Sequence, residues 1–261
     1  MKPLRAPALL LILGLILTVG SAPAQEPPPL VTDRPDFTES AVTVPVSRVQ
    51  VEAGYTFTRA GSAHRHALGE ALWRIGLAQW AELRLGLNSF VVSREPGESN
   101  REGLEDPTLG IKLALADGAQ VWMPGSPTVA LILAGALPSG GRAYRGDRIQ
   151  PEAKLSLAWT LTERASLGSN LNAAWLREEG DSFLELSGSV SLGYALTDPL
   201  GSYVEVYGFE PVGTGGPAIT HINGGFTYQF LTRYQLDLRA GTTMAAQPRE
   251  SFIGVGIAVR W

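Results

Sequence analysis

Apolar and polar residues alternate with a period of two over most of this chain. The final stretch, residues 251–261, shows the pattern most clearly, because Ile253, Val255, Ile257, Val259 and Trp261 are all apolar and most residues between them are small or polar. Successive side chains of a β-strand point to opposite faces, so this period predicts strands with one apolar face. A chain that ends on such a strand, with an aromatic last residue, is typical of bacterial outer-membrane barrels.

The alternation predicts twelve strands, none of which carries a charge on its apolar face. A charge that faces lipid costs roughly 2–4 kcal/mol at mid-depth, which would keep such faces uncharged. A soluble β-sandwich also buries one face of each strand, but its short strands rarely keep so long an uncharged stripe. We therefore predict an all-β fold, a transmembrane antiparallel β-barrel over residues 46–261, with strands at 49–57, 67–77, 83–91, 109–115, 128–137, 153–159, 167–175, 184–194, 202–209, 222–230, 236–244 and 251–261.

The connections between these strands differ in length. Tight turns are predicted at 79–81, 162–164, 197–199 and 231–233, and most other connections are longer and polar. Outer-membrane barrels show the same difference between their short periplasmic turns and their longer outer loops. The same alternation places Ala67 and Val91 against lipid and His66 in the lumen. Aromatic residues fall near both ends of the strands, where membrane headgroups are expected, and Phe209 is assigned to the outer belt.

The amino-terminal region is predicted to lie outside the barrel sheet. Residues 1–24 resemble a cleaved signal peptide, with Lys2 and Arg5 before an apolar run and small residues up to Ala24. Residues 25–45 form a proline-rich leader, because repeated prolines break a strand ladder. We expect the leader either to narrow the periplasmic opening through charge-assisted hydrogen bonds or to remain a disordered tail. Its charged candidates are Asp33, Arg34, Asp36 and Glu39.

Composition excludes several classes of function. The chain has no cysteine, which rules out disulfide frameworks and thiolate metal sites. A formal charge of −4 gives no electrostatic reason to bind nucleic acid. The sequence offers no phosphate-binding glycine motif, so no cofactor is predicted.

Three histidines are the candidates for catalysis or metal binding. His64 and His66 fall in a predicted outer loop and are interpreted as solvated rather than as metal ligands. His221 lies on the polar face of a predicted strand, where a serine and an orienting acid would be needed for hydrolysis. No Gly-x-Ser-x-Gly elbow is present, so no catalytic residue and no metal ligand is assigned.

Charged residues of both signs alternate along the predicted lumen faces. They are expected to pair across strands, because charges inside a barrel must be paired, and also to line any permeation path. The lumen-lining candidates are Glu70, Arg74, Glu82, Arg84, Lys112, Glu152, Lys154, Glu185, Glu205, Asp237 and Arg239, together with Glu52 and Arg260.

Four motifs resemble those of the outer-membrane transporters grouped under meta-pathway phenol degradation. They are Thr32–Ser40 (TDRPDFTES), Glu105–Lys112 (EDPTLGIK), Leu137–Gly140 (LPSG) and Gln235–Asp237 (QLD). The resemblance runs from about Thr32 to Trp261. It implies an outer-membrane barrel and, by association, transport of small compounds, aromatic ones included, and it carries over no catalytic or binding residue.

These observations predict a passive pore or transporter for small solutes, aromatic or hydrophobic ones included. The alternatives are a membrane-embedded lipid hydrolase and a structural barrel that conducts nothing. The expected location is the outer membrane of a Gram-negative bacterium, and the expected partners are its lipids and the barrel-assembly machinery. Twelve strands should enclose a narrower lumen than the 16–18 strands of large porins.

Overall fold

The computed structural model of the protein describes residues 28–118, 125–178, 180–214, 216–244 and 248–261. The predicted signal peptide, residues 1–24, lies outside these ranges. The described residues form one antiparallel sheet of fourteen strands. These are β1 (Val49–Ala60), β2 (Ala63–Ala78), β3 (Ala81–Gly86), β4 (Phe90–Arg94), β5 (Arg101–Leu104), β6 (Thr108–Ala116), β7 (Thr128–Ala136), β8 (Gln150–Thr160), β9 (Ala165–Glu178), β10 (Asp181–Ala195), β11 (Leu200–Val212), β12 (Ile219–Phe230), β13 (Tyr234–Thr243) and β14 (Glu250–Arg260).

The sheet closes on itself and has twelve positions around its circumference. Strand β1 pairs with both β2 and β14, so neither chain end leaves a free edge. Strand β2 pairs with β3 and β4 in succession, while β5 pairs with β4 and β6 pairs with β3. The β3–β4 and β5–β6 segments are therefore two interrupted strands, and the predicted twelve-stranded barrel is confirmed.

The faces of the barrel have opposite chemistry. Outward positions expose large apolar side chains such as Leu171, Trp175 and Phe226, while Arg74 and Lys112 are fully buried in the interior. This distribution of apolar and charged side chains is the reverse of that in a soluble protein and is expected for a barrel whose outer surface faces hydrocarbon. The described part of the chain has no helix long and apolar enough to cross a membrane.

A bulge in β2 corrects the predicted facing of its first half. Gly69 and Glu70 have φ angles of 103° and 38°, and the β1–β2 register shifts beside them. An extra residue in one strand reverses the alternation beyond it. Ala67 is consequently buried and faces the lumen, whereas His66 faces outward beside Phe57, so both predicted orientations were wrong.

The interruption between β3 and β4 reverses a second prediction. Val91 is fully buried, while the neighbouring Phe90 is exposed on the outer surface. Phe209 was also misassigned, because its ring packs against Phe37 and His221 inside the lumen.

All four predicted tight turns join consecutive strands at one rim of the barrel, which also holds the start of β1 and the end of β14. Such turns mark the periplasmic rim, so the opposite rim is the outer one.

Candidate functional site

The leader, residues 28–45, enters the lumen from the periplasmic rim. The guanidinium of Arg260 donates a hydrogen bond to the carbonyl of Pro29 at 3.2 Å near this opening. Deeper inside, the chain reverses, because the amide and the hydroxyl of Ser40 donate to Asp33 Oδ1 at 2.9 and 2.8 Å. The chain then returns to the same rim, where β1 begins at Val49. The leader is thus a loop held within the barrel.

The Asp33 carboxylate anchors this loop to three basic residues of the wall. It accepts from Arg84 at 2.6 Å and from Lys112 at 3.0 Å, and it lies 3.5 Å from Arg74. Burial alone would raise the pKa of Asp33, but the positive charges of Arg74, Lys112 and Arg84 hold that pKa well below its ordinary value. The carboxylate is therefore ionised at neutral pH and binds the leader to the wall.

Two wall carboxylates complete this buried cluster. Arg74 pairs with Glu52 at 3.0 Å and with Glu82 at 2.9 Å. Glu52 also accepts hydrogen bonds from the backbone amides of Asp33 and Arg34, both at 2.9 Å. The three positive charges of Arg74, Arg84 and Lys112 are thus balanced by the three negative charges of Asp33, Glu52 and Glu82. Removing one member of such a buried cluster typically costs about 3–5 kcal/mol.

Arg34 lies against the inner face of the paired strands β1 and β14. Its guanidinium pairs with Glu70 at 2.7 Å and with Asp237 at 3.3 Å. Gly54 and Gly256 lie opposite each other in register beneath it. A Cβ atom on either glycine would come within 2.4 Å of the arginine side chain, so the absence of side chains at both positions makes room for Arg34.

The next residues of the leader bind β10, β11 and β12. The amides of Phe37 and Thr38 donate to the carboxylate of Glu205 at 2.8 and 2.6 Å. The Thr38 hydroxyl donates to Ser189 Oγ at 2.8 Å, and Asn223 donates to Glu205 at 2.7 Å. Glu205 is almost completely buried, so its charge is satisfied by these donors rather than by water.

The Phe37 ring lies in an aromatic cluster on the lumen wall. It stacks on Tyr207 with centroids 4.6 Å apart and meets Phe209 edge-on at 5.3 Å. His221 stacks on the other side of Tyr207 at 4.8 Å. The leader is thus held by packing as well as by charge.

Glu39 binds the wall on the opposite side of the lumen. It pairs with Arg84 and, at 2.7 Å, with Lys154, which also lies 3.4 Å from Glu152. Burial opposes ionisation here, but Arg84 and Lys154 lower the pKa of Glu39 to about 2. The leader carboxylates Asp33 and Glu39 are therefore both ionised and ion-paired at neutral pH.

Asp36 is predicted to make leader docking depend on pH. Burial and then the neighbouring carboxylate of Glu205 raise the pKa of Asp36 to about 8, against an opposing hydrogen bond from Ser191. An undocked leader would release this proton near pH 4, so the contribution of Asp36 to docking is largest below about pH 4 and is lost as pH rises through 8. We expect chymotrypsin, with its rate at each pH normalised to that on an unstructured peptide, to cleave after Phe37 faster at pH 9 than at pH 6.

Substitution Asp36→Asn supplies the control for this prediction. Asparagine cannot ionise, so the normalised rate of cleavage in the leader should no longer rise between pH 6 and 9. An Asp198→Asn variant, altered at a periplasmic turn, should behave as the wild type. An equal pH dependence in the Asp36→Asn protein would contradict the assignment to Asp36.

The leader divides the lumen into two cavities. One, of about 520 Å³, lies between the leader and strands β8–β12 and is bordered by the periplasmic turns. The other, of about 320 Å³, lies on the far side of Glu39, with Arg84, Glu105 and Lys154 in its lining. Solutes that cross the barrel must pass the leader or displace it.

Two of the sequence motifs meet at the outer side of the barrel. Asp106 accepts hydrogen bonds from the backbone amides of Ser139, Gly140 and Gly146 at 3.0, 2.7 and 2.8 Å. A third motif lies at the leader, because Gln235 donates to the Thr32 hydroxyl at 2.8 Å. Residues of these motifs therefore hold the leader and the loop after β7 in place.

The histidines occupy two different surroundings. His66 accepts from or donates to the Tyr55 hydroxyl at 2.8 Å on the outer face of the barrel. His221 lies inside, 3.7 Å from Glu250, and no serine hydroxyl among the described residues is hydrogen-bonded to it. Across the described ranges, no group of three or more His, Asp or Glu residues is arranged to hold a metal ion.

The structure places the predicted lumen residues on the inner faces of their strands and brings most of them to the leader. Arg239 donates to the carbonyl of Pro35 at 3.0 Å, while Glu185 lies on the inner face of β10, away from the leader contacts above. The sequence interpretation missed other contact residues, which are uncharged. They are Phe37, Tyr207, Ser189, Asn223, Gly54 and Gly256. Alternation alone could have indicated Tyr207, since Val204 and Val206 occupy the other face.

Comparison with solved structures identifies the fold. The COG4313 outer membrane channel from Pseudomonas putida F1 superposes with a TM-score of 0.66 at 13% identity, over 85% of this chain and 98% of that one. The NanC porin gives 0.56 at 8% identity, and the KdgM porin in complex with disordered oligogalacturonate gives 0.51 at 11%; each covers 80% of this chain and 98% of its own. No curated protein matches the sequence.

The location follows from the same findings. The barrel exposes an apolar surface to its surroundings and has the fold of outer-membrane channels and porins. The protein therefore lies in the outer membrane of a Gram-negative bacterium. A family model described as "Putative MetA-pathway of phenol degradation" matches residues 32–261, which is nearly all of the described chain. The chain belongs to this family.

Proposed function

We propose that the protein is a passive outer-membrane pore for small, largely uncharged solutes, with passage limited by the leader. The observation that carries the proposal is the position of the leader, which folds into the lumen of a closed barrel and separates two lumen cavities of about 520 and 320 Å³. The fold shared with channels and porins supports a transport role.

The electrostatics of the lumen favour uncharged solutes. Arg74, Arg84 and Lys112 are paired with carboxylates of the wall and of the leader. Paired charges of mixed sign give little preference for cations or anions. Strong selectivity would need a ring of one sign, which this lumen does not present among its described residues.

Aromatic or hydrophobic solutes fit the proposal in two respects. The family description refers to phenol degradation. The lumen wall also carries the rings of Tyr207, Phe209 and His221, which form an apolar surface within a polar interior that a solute reaches when Phe37 of the leader moves away. We therefore include small aromatic compounds among the expected solutes.

A lipid hydrolase is the alternative that the structure favours least. Hydrolysis of this kind needs a serine activated by a histidine within hydrogen-bond reach. His221 instead stacks against Tyr207 at 4.8 Å, and its nearest acidic partner is Glu250 at 3.7 Å. We therefore propose no enzymatic activity.

Liposome swelling beside a lipid-hydrolysis assay separates these functions. Wild-type protein should admit small uncharged sugars and small aromatic glycosides, which do not cross the bilayer unaided, and should release no fatty acid from phospholipid. His221→Ala should keep the swelling activity, because His221 is not proposed to react with solute. Hydrolysis by the wild type that His221→Ala abolishes would contradict the pore. A folded protein that gives no swelling with any solute would instead support a structural barrel.

A further inference from the structure

Three basic residues form a row on the outer surface of the barrel. Arg59 on β1 pairs in register with His64 on β2, and His64 pairs with Arg94 on β4. Arg59 follows Tyr55 and Phe57 at intervals of two, so its side chain leaves the barrel on the same face. The row spans three adjacent strands at the end nearest the outer loops.

The bulge in β2 puts His64 on this outer face. Its ring lies 6.1 Å from that of His66 and 6.4 Å from that of Phe57. Arg94 follows the exposed Phe90 by four residues on β4 and therefore also faces outward. Alternation without the bulge would have placed His64 in the lumen.

The surface below this row changes stepwise from apolar to polar. Cross-strand neighbours on one face of a sheet lie about 5 Å apart, so each register row forms a continuous band. Aromatic and amphipathic side chains prefer the depth where hydrocarbon meets headgroups. From the membrane centre outward, the rows are Tyr55, Leu68 and Phe90, then Phe57, His66 and Val92, then Arg59, His64 and Arg94.

The arginines of the row differ from those of the lumen in having no acidic partner. Arg74 and Arg84 are each ion-paired inside the barrel. Within the part of the chain that the structure describes, neither Arg59 nor Arg94 forms an ion pair; Arg59 Nε donates to the carbonyl of Gly61 at 3.0 Å. Both arginines are exposed, so they can bind a ligand from the surroundings.

Nearby carboxylates leave one side of the row open. Glu102 lies opposite Val92, one row closer to the membrane centre, and Glu95 and Glu98 lie in the loop after β4. On the other side, the register neighbour of Arg59 is Ser251 on β14, which is uncharged, and the preceding Glu250 lies 3.7 Å from His221, a lumen residue. An anion can therefore approach Arg59 and His64 from the side of β14.

We propose that Arg59, His64 and Arg94 bind the phosphate groups of a glycolipid in the outer leaflet. This leaflet consists of lipopolysaccharide, whose lipid A carries phosphates on sugars directly above its acyl chains. Guanidinium groups bind phosphate through paired, charge-assisted hydrogen bonds. The row has the depth, the charge and the continuity with the apolar belt that such a ligand requires. The site depends on outer-membrane location and not on conduction.

Binding of purified lipid A to the folded barrel in detergent, measured by native mass spectrometry, tests this site. We expect the double variant Arg59→Gln/Arg94→Gln to bind lipid A at least several-fold more weakly than wild type. Lipid A stripped of phosphate should bind both proteins equally weakly. The matched control, Arg164→Gln/Arg233→Gln, removes the same charge at the periplasmic turns and should bind lipid A as the wild type does.

Heat-dependent gel mobility establishes that each variant is folded before lipid A is added. Equal binding by wild type and the Arg59→Gln/Arg94→Gln protein would overturn the proposal. So would equal affinity for phosphorylated and dephosphorylated lipid A. Inorganic phosphate that competed as strongly as lipid A would show a site for free anions and would also contradict a lipid ligand.

Discussion

Deleting residues 28–42 is expected to raise the single-channel conductance of the protein several-fold. These residues run through the lumen and separate cavities of about 520 and 320 Å³, so their removal joins the two spaces. The barrel should remain folded, because its ladder closes through β1 with β2 and β14 and includes no leader residue. Arg74, Arg84 and Lys112 would then be hydrated by water in the open lumen.

Planar bilayer recordings measure this effect. A second variant tests whether the contacts between leader and wall are needed, or only the presence of a peptide segment in the lumen. Residues 28–42 are replaced by a glycine-serine segment of equal length, which keeps the length of the chain but loses the side chains of Asp33, Arg34, Phe37 and Glu39. That protein should show frequent transitions between low and high conductance, because its leader no longer binds the wall. Unchanged conductance after the full deletion would show that the leader does not limit passage.

The barrel itself was predictable because every strand that faces lipid must keep charged side chains off its outer face. An uncharged outer face recurs in all twelve segments, and the alternation also placed charges such as Glu82, Lys112 and Asp237 inside. The failures in β2 and β4 came from local irregularities, namely a bulge and a strand interruption. One extra residue at Gly69–Glu70 reversed the facing of Ala67 and His66, and composition carries no trace of such an insertion beyond the glycine.

The leader site was predictable in its charges but not in its path. Asp33, Arg34 and Glu39 were candidates because they are concentrated among prolines, yet a solvated tail would show the same composition. Their partners depend on strand register, which brings Glu70 and Asp237 to one arginine although the two acids are far apart in sequence. The Phe37 site also depends on which face of residues 202–209 points into the lumen. The sequence does not decide this, because both faces of that segment carry apolar or aromatic side chains.

The cross-link between Thr38→Cys and Ser189→Cys tests directly whether the leader lies in the lumen of the working protein. The two hydroxyl oxygens are 2.8 Å apart, and the chain has no other cysteine that could react. We expect oxidation to form an internal disulfide in nearly all molecules and to fix conductance at its low level. Reduction should restore the wild-type behaviour.

The pair Thr38→Cys and Val190→Cys is the matched control, because Val190 is the neighbour of Ser189 that faces lipid. This pair should form no internal disulfide. A leader that occupies the lumen predicts cross-linking of position 38 to 189 and not to 190, measured by mass spectrometry of protein oxidised in the membrane. Cross-linking to neither position, in a protein that is folded and conducts normally, would contradict the account.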